Sequence, residues 1–160
     1  MGAGKTTIGR QLAAALGWEF EDSDHEIVRR TGVAIPVIFE IEGEEGFRRR
    51  EARALEDLTA SGHLVLATGG GAVLLEENRA LLKGRGFVVY LRASLDQLLE
   101  RTARDKNRPL LQTDDPRQRM RTLLEQRDPL YRDTADLIVD TDQRTVRGAV
   151  KEIVNHLCPA

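Results

Sequence analysis

The sequence predicts an α/β protein in which a parallel sheet lies between two layers of helices, a three-layer α/β/α arrangement. Two observations support this prediction. Short apolar runs alternate with segments of helical periodicity along the chain, and a glycine-rich phosphate-binding pattern opens it. Strands that alternate with helices pair in parallel, because each helix returns the chain to the same end of the sheet. A length of 160 residues suits one domain, which we expect over residues 1–160.

The opening residues 2–7 match the second half of the phosphate-loop pattern G-x-x-x-x-G-K-[ST]. Backbone N–H groups and the start of the following helix form a cradle for anions. Lys5 is expected to reach the outer phosphates, and the hydroxyl of Thr6 is placed to bind magnesium. The sequence therefore predicts a nucleotide-phosphate site formed by Gly2, Ala3, Gly4, Lys5, Thr6 and Thr7. The first glycine of the pattern, and the strand that normally carries it, would lie before Met1.

The remaining elements follow in order. The first helix has apolar residues at helical spacing and ends at Gly17. Strands are predicted over residues 18–22, 64–67, 87–91 and 137–139, and helices over 5–16, 24–30, 35–60, 76–84, 94–104, 115–132 and 145–157. Residues 24–60 form a helical insertion between the first two strands. Residues 104–115 are polar, contain proline and lack periodicity, so we expect a mobile lid.

Composition excludes several classes of function. A formal net charge of −2 gives no general reason to expect nucleic acid or an anionic membrane surface as a partner. No apolar run approaches the ~20 residues of a membrane span. A single cysteine, Cys158, fits a reducing cytosol, and three scattered histidines form no zinc pattern. We therefore expect a cytoplasmic protein.

Ligands of open α/β sheets bind beyond the carboxyl ends of the strands, and Asp22 and Asp24 follow the first predicted strand there. If both residues extend the strand, their carboxylates point to the same side. One could then hold magnesium through water while the other takes a proton from an attacking hydroxyl. The alternative is a turn in which Asp24 caps the next helix.

Two further patterns lie on the acceptor side. Arg48 and Glu51 share a helix face, so Glu51 can orient the guanidinium toward an anion. For this run in isolation, a solvated ion-paired surface is the favoured interpretation. Three glycines, Gly69, Gly70 and Gly71, follow the second strand, and bare backbone there suggests the close approach of a ligand. A flexible turn is the alternative, although fewer glycines would serve for one.

Two arginines stand near the predicted site. Arg108 lies in the predicted lid, where it could neutralise charge on a transferred phosphoryl group. Arg127 stands near the end of a long helix that Pro129 is expected to stop. On the residues alone, ordinary helix termination is the favoured account of Arg127.

Taken together, these motifs resemble the shikimate kinase family. The resemblance rests on the residue runs GAGKTT at 2–7, DSD at 22–24, GFR at 46–48 with Glu51, TGGGAV at 68–73, RPLL at 108–111 and RDPLY at 127–131. It implies a P-loop kinase fold and ATP-dependent phosphorylation of the 3-hydroxyl of shikimate, with ATP and Mg²⁺ as ligands. It also implies a role in aromatic amino-acid biosynthesis. We expect a monomer with a small-molecule substrate.

The resemblance also implies roles for individual residues. Asp24 would bind the substrate hydroxyls and act as the candidate base, with Lys5 and Arg108 completing the catalytic set. The substrate carboxylate would lie between Arg48 and Arg127, and the glycine loop would contribute a backbone contact through Gly70. Magnesium would be held by Thr6 and, through water, by Asp22. Two arginines resemble adenine-side contacts of the family: Arg101 and Arg144.

The chain departs from the family at its start, where a central strand is expected. A missing central strand would leave its neighbours with unpaired edges and open the core. We expect a start codon placed too late or an expression fragment, rather than a natural short form. Full activity and cooperative folding of the 160-residue form would contradict this expectation.

Two alternative functions remain open on the sequence. A kinase for another small hydroxy acid, such as gluconate, would share the phosphate loop. A catalytically silent nucleotide-binding protein is the second alternative, because the loop is incomplete. Shikimate-dependent release of ADP distinguishes the expected enzyme from both.

Overall fold

The computed structural model describes residues 4–103 and 114–158. Three expected site residues, Gly2, Ala3 and Arg108, lie outside the described residues, as does most of the expected lid. Within the described residues the elements are α1 (Lys5–Leu16), β1 (Glu19–Asp22), α2 (Ser23–Thr31), α3 (Ile35–Leu58), β2 (Leu64–Ala67), α4 (Glu76–Arg85), β3 (Val89–Arg92), α5 (Leu95–Thr102), α6 (Pro116–Thr134), β4 (Leu137–Asp140) and α7 (Val146–Leu157). A short 3-10 helix, Ala72–Leu74, stands between β2 and α4.

The predicted strands and helices are all present, with ends that shift by about two residues or fewer. The prediction that Pro129 stops the long helix is wrong, since α6 continues through it to Thr134. Proline removes one backbone donor, but the turn beyond it is held by other bonds. The hydroxyl of Thr134 donates to the carbonyl of Leu130 at 2.7 Å, and the N–H of Ala135 donates to that of Tyr131 at 2.9 Å.

The strands form two parallel pairs. β1 pairs with β2, and β3 pairs with β4, each over four residues in register. In the described part of the chain, β2 and β3 do not pair with each other. A cavity of about 440 Å³ separates them, lined by all four residues of β2 and most of β3. The sheet is therefore open at its centre.

The floor of this cavity is a helical layer. Leu12 and Leu16 of α1 and Ile153 and Leu157 of α7 line it. Helices α1 and α7 pack together with β4 around a buried apolar cluster that consists of Ile8, Leu12, Val139, Ala149, Val150 and Ile153. This packing fixes the start of α1, and with it the described part of the phosphate loop, against the sheet.

The insertion has a core of its own, in which α2 and α3 pack around Ile27, Ile38, Phe47 and Ala54. Helix α3 is interrupted at Gly43, whose φ of 73° lies in the region that glycine adopts without steric cost. The second half of α3 therefore takes its own direction and carries Arg48 and Glu51. No helix of the described residues has both the length and the apolarity that a membrane span requires.

Candidate active site

The carboxyl ends of β1 and β2 lie side by side, because Asp22 and Ala67 are register partners in a parallel pair. The chain after β1 begins α2, and the chain after β2 enters the glycine loop, residues 69–71. The hydroxyl of Ser23, fully buried, accepts a hydrogen bond from the N–H of Gly69 at 3.2 Å. This bond joins the start of α2 to the start of the glycine loop.

Asp22 and Asp24 occupy different places from those expected. Asp22 ends β1 and caps α2, accepting hydrogen bonds from the N–H groups of Asp24 and His25 at 2.8 and 3.3 Å. Asp24 lies in the first turn of α2, so the two residues do not extend one strand. The alternative that Asp24 caps the helix is also wrong, since an extended Asp22 can present its carboxylate to the free N–H groups and Asp24 is already helical.

Arg48 and Glu51 form a buried ion pair on α3. The Nη1 of Arg48 donates to the Oε1 of Glu51 at 2.9 Å, and the side chain of Glu51 is fully buried. Glu44, one turn earlier, accepts from the Nη2 of Arg48 at 3.2 Å. The interpretation of this run as a solvated helix surface is therefore wrong for Arg48 and Glu51, because α3 turns this face toward the glycine loop.

The glycine loop lies against these charged side chains. A Cβ atom at Gly69 would come within 2.9 Å of both Asp24 Oδ1 and Glu51 Oε2. A Cβ atom at Gly71 would overlap the guanidinium of Arg48. The absence of side chains in this loop thus lets Asp24, Arg48 and Glu51 approach the backbone, in addition to any ligand.

Arg127 reaches the same place from α6 and is 3% exposed. Burial, reinforced by the nearby Arg48 cation, lowers the pKa of Arg127. The side chain of Arg127 is hydrogen-bonded to Tyr131, whose hydroxyl donates to the carbonyl of Gly70 at 2.6 Å. Two buried guanidinium groups, those of Arg48 and Arg127, therefore lie beside the glycine loop, and we call this place the candidate acceptor site.

Charged groups of both signs meet beside the glycine loop. Burial raises the pKa of Glu51, an effect that Arg48 opposes and the Asp24 carboxylate reinforces. The Nε of Arg48 and the Oε2 of Glu51 are buried and have no hydrogen-bond partner among the described residues. Buried polar atoms are normally satisfied, so a polar ligand or water is expected to complete the set.

The described part of the phosphate loop begins at Gly4, which caps α1 with a φ of 86°. The Nζ of Lys5 donates to the carbonyl of Thr68, directly after β2. Lys5 therefore stands between the start of α1 and the glycine loop. A phosphate bound at α1 would meet the ammonium group of Lys5 on the side that faces the glycine loop.

The two predicted adenine-side arginines lie elsewhere on the fold. The Nη1 of Arg101 donates to the hydroxyl of Thr141 at 3.4 Å, which connects α5 to the end of β4. Arg144, in the exposed turn before α7, forms an ion pair with Glu152. A contact with adenine would require Arg144 to exchange this partner.

The oxygen donors near the phosphate loop suit magnesium that arrives with a nucleotide. No group of three or more histidine, cysteine or acidic side chains is assembled for a metal ion within residues 4–103 and 114–158. Magnesium usually takes one or two protein oxygens together with phosphates and water. Asp22 uses Oδ1 for the cap of α2 and keeps Oδ2 for a water or a metal, while Thr6 follows Lys5 in the first turn of α1.

Sequence reasoning missed three residues of this site: Ser23, Glu44 and Tyr131. Helical spacing contained part of the signal, because Glu44 and Arg48 are four residues apart on α3, as are Arg127 and Tyr131 on α6. The bond from Ser23 to Gly69 joins residues 46 positions apart, and no local pattern predicts it.

Comparisons with known proteins identify the family of this chain. The family model for shikimate kinase matches residues 1–158. The chain belongs to the shikimate kinase family. A shikimate kinase of Methylococcus capsulatus is 61% identical over 97% of this chain and 87% of its own length. That of Thioalkalivibrio sulfidiphilus is 62% identical over 98% of this chain and 82% of its own.

Solved structures of shikimate kinases have the same fold. The enzyme of Acinetobacter baumannii, solved in complex with shikimate, aligns with a TM-score of 0.96 at 55% identity, covering 98% of this chain and 88% of that one. The enzyme of Aquifex aeolicus aligns with a TM-score of 0.81 at 35% identity, covering 98% and 90%. The P-loop kinase fold and the kinase class predicted from the sequence are thus confirmed. The gluconate and silent alternatives find no support in these relatives.

Proposed function

We propose that this chain transfers the terminal phosphoryl group of ATP to the 3-hydroxyl of shikimate. The observation that carries the proposal is the convergence of two buried guanidinium groups, Arg48 and Arg127, on the glycine loop beside Asp24. A small carboxylic acid with several hydroxyl groups matches this combination of charges. Support comes from the relative of Acinetobacter baumannii, which has 55% identity to this chain and was solved with shikimate.

Arg48 and Arg127 bind the substrate carboxylate. Each guanidinium can offer two parallel N–H groups to a carboxylate, and such charge-assisted bonds contribute about 1.5–3 kcal/mol each. Burial and the proximity of the Arg48 cation lower the pKa of Arg127, so the free site carries a repulsion that a bound anion relieves. Glu51 holds Arg48 in place while this occurs.

Asp24 receives the hydroxyl groups of the substrate and is the candidate base. It lies in the first turn of α2, close to Gly69 and to the carboxylate of Glu51. Phosphoryl transfer depends mostly on positioning and on charge stabilisation. Asp24 therefore orients the attacking hydroxyl and takes its proton as the phosphoryl group is transferred.

The nucleotide phosphates lie at the start of α1. The cradle consists of Gly2, Ala3, Gly4, Lys5, Thr6 and Thr7, and Lys5 and Arg108 stabilise the transferred group. Magnesium, held by Thr6 and through water by Asp22, neutralises phosphate charge when it is bound. Arg101 and Arg144 contact the adenine side. Residues 1–160 act as one domain, in the cytoplasm and as a monomer.

The test measures ADP release by the purified chain with shikimate or gluconate as the acceptor. Release that requires shikimate supports the proposal, and equal release with gluconate contradicts the assignment of substrate. Arg48→Ala should raise KM for shikimate or lower kcat/KM by roughly ten- to a hundredfold. Arg49→Ala is the matched control, because the neighbouring Arg49 side chain is exposed. Equal kinetics for both variants would remove Arg48 from the site.

A further inference from the structure

Tyr131 contacts two elements of the acceptor site at once. Its hydroxyl donates to the carbonyl of Gly70 at 2.6 Å, and the same side chain is hydrogen-bonded to Arg127. A guanidinium only donates, so the phenol oxygen accepts from Arg127 while its own hydrogen goes to Gly70. The hydroxyl therefore bridges an arginine of α6 and the backbone of the glycine loop.

The surroundings of Tyr131 hold this hydroxyl in position. Its ring packs against that of Tyr90 on β3, with the ring centroids 4.9 Å apart. The hydroxyl of Tyr90 in turn donates to the carboxylate of Asp128 at 2.8 Å. Burial raises the pKa of Tyr131, so the hydroxyl keeps its proton. Tyr131 thus has one orientation available, and its donor is directed at the loop.

The glycine loop needs such restraints more than other loops do. Three consecutive glycines have no side chains to pack and lose more conformational freedom on ordering than any other residues. Among the described residues, two side-chain hydrogen bonds restrain this loop. The N–H of Gly69 donates to the hydroxyl of Ser23, and the hydroxyl of Tyr131 donates to the carbonyl of Gly70. The bond from Tyr131 fixes the peptide plane between Gly70 and Gly71, next to the guanidinium of Arg48.

We propose that Tyr131 is a positioning residue for the acceptor. It sets Arg127 and the glycine loop at a fixed separation, so that the substrate carboxylate meets both guanidinium groups in one geometry. Tyr131 acts through Arg127 and Gly70 and does not itself touch the substrate. This inference rests on the proposed function of Arg127 and the loop.

The test compares Tyr131→Phe with Tyr90→Phe in the full chain. Each variant keeps its ring and loses one hydroxyl, but only Tyr131 bonds to the acceptor site. Tyr131→Phe should raise KM for shikimate about ten-fold, which corresponds to the loss of one charge-assisted hydrogen bond, and should leave KM for ATP within about two-fold. Tyr90→Phe keeps the ring that packs against Tyr131 and loses only the bond to Asp128, so both constants should stay near those of the wild type. Shikimate should also raise the Tm of Tyr131→Phe less than it raises the Tm of the wild type and of Tyr90→Phe. This measurement does not depend on turnover.

The possible results distinguish a failure of the role proposed for Tyr131 from a failure of the proposed shikimate kinase activity. If Arg127→Lys weakens shikimate binding and Tyr131→Phe does not, the inference is wrong and the proposed function stands. An equal rise of both KM values in Tyr131→Phe would indicate general damage and would also overturn the inference. If the wild type neither binds nor phosphorylates shikimate, the proposed function fails, and the inference fails with it.

Discussion

Two ion pairs of the same chemistry lie in opposite environments in this protein. On α3, Arg48 and Glu51 share one bond at 2.9 Å, and their side chains are 11% and 0% exposed. Between β3 and β4, Arg92 and Asp140 share two bonds, the second at 2.8 Å, and their side chains are 34% and 63% exposed. The exposed pair has the better fork geometry, yet water and salt screen it. Burial, more than bond geometry, therefore distinguishes the pair that lies at the candidate active site.

The same contrast occurs within a single run of the sequence. Arg48, Arg49 and Arg50 are consecutive, but only Arg48 is buried. Arg49 pairs with Glu45, and Arg50 pairs with Glu42, both on the outer side of α3. Because a helix turns by about 100° per residue, consecutive residues face different directions, and one of the three faces the glycine loop.

The largest expected effect is that of Glu51→Ala. The variant leaves the Arg48 cation buried without its main counter-charge, and breaking a buried pair in this way costs about 3–5 kcal/mol. The free energy of unfolding should fall by that amount in chemical denaturation. Affinity for shikimate should fall as well, since Arg48 loses the group that orients it.

Asp140→Ala is the control for the exposed pair and should cost less than about 1 kcal/mol. Equal losses of stability in Glu51→Ala and Asp140→Ala would show that burial does not distinguish the two pairs.

A smaller effect is expected from Gly71→Ala. The added methyl group would overlap the guanidinium of Arg48 and displace it from its place beside the glycine loop. Since the φ of Gly71 is −88°, alanine meets no backbone strain there, and the loss should appear mainly as a higher KM for shikimate. Steady-state kinetics with shikimate varied at saturating ATP measure it.

Gly62→Ala is the matched substitution in open space, because no atom lies within 4 Å of its added methyl group. It should leave KM unchanged. A wild-type KM for shikimate in Gly71→Ala would show that Arg48 can move without loss of function.

The smallest expected effect is a difference in pH dependence between the two pairs. Burial raises the pKa of Glu51 in the folded protein above its ordinary value of 4.5. Its contribution to stability is therefore fully present below that ordinary value and is lost as pH rises through the folded-state pKa. Glu51→Gln lacks this titration, so its Tm relative to the wild type should increase with pH from about 4.5 toward neutrality.

Asp140→Asn should show the opposite trend. The hydrogen bond from Arg92 lowers the pKa of Asp140, so its contribution is present above the ordinary value of 3.8 and is lost as pH falls through the folded-state pKa. The Tm of Asp140→Asn should therefore lie below that of the wild type at neutral pH and approach it as the pH falls. If the Tm of Glu51→Gln and that of Asp140→Asn, each relative to the wild type, changed with pH in the same direction, the two carboxyl groups would not have opposite pKa shifts.

Much of the fold could be predicted from the sequence, because local periodicity carries most of the information on where helices and strands lie. The first helix shows this well, from the phosphate loop to its left-handed cap at Gly17. The end of α6 could not be predicted in this way. Tertiary contacts of Tyr131 with Tyr90 and Gly70 favour the turn after Pro129, and a propensity argument does not include them.

The site was predictable in its residue types more than in its contacts. The spacing of Arg48 and Glu51 predicted their pairing, but no sequence pattern measures how deeply a pair is buried. Burial depends on α3 facing the glycine loop after the interruption at Gly43. The bridging contact of Tyr131 joins α6 to the glycine loop after β2, and the two bonded residues are 61 positions apart in the sequence. No local sequence pattern predicts a contact over that distance.

The opening at the centre of the sheet has a consequence for the behaviour of the protein in solution. Strands β2 and β3 each present one side of hydrogen-bonding backbone toward the cavity, and apolar side chains of α1 and α7 lie beneath. Sheet edges of this kind act as templates that recruit further β-structure, including from neighbouring molecules. The proposed monomer should therefore persist only in dilute samples, and light scattering that rises with protein concentration would reveal association through these unpaired edges.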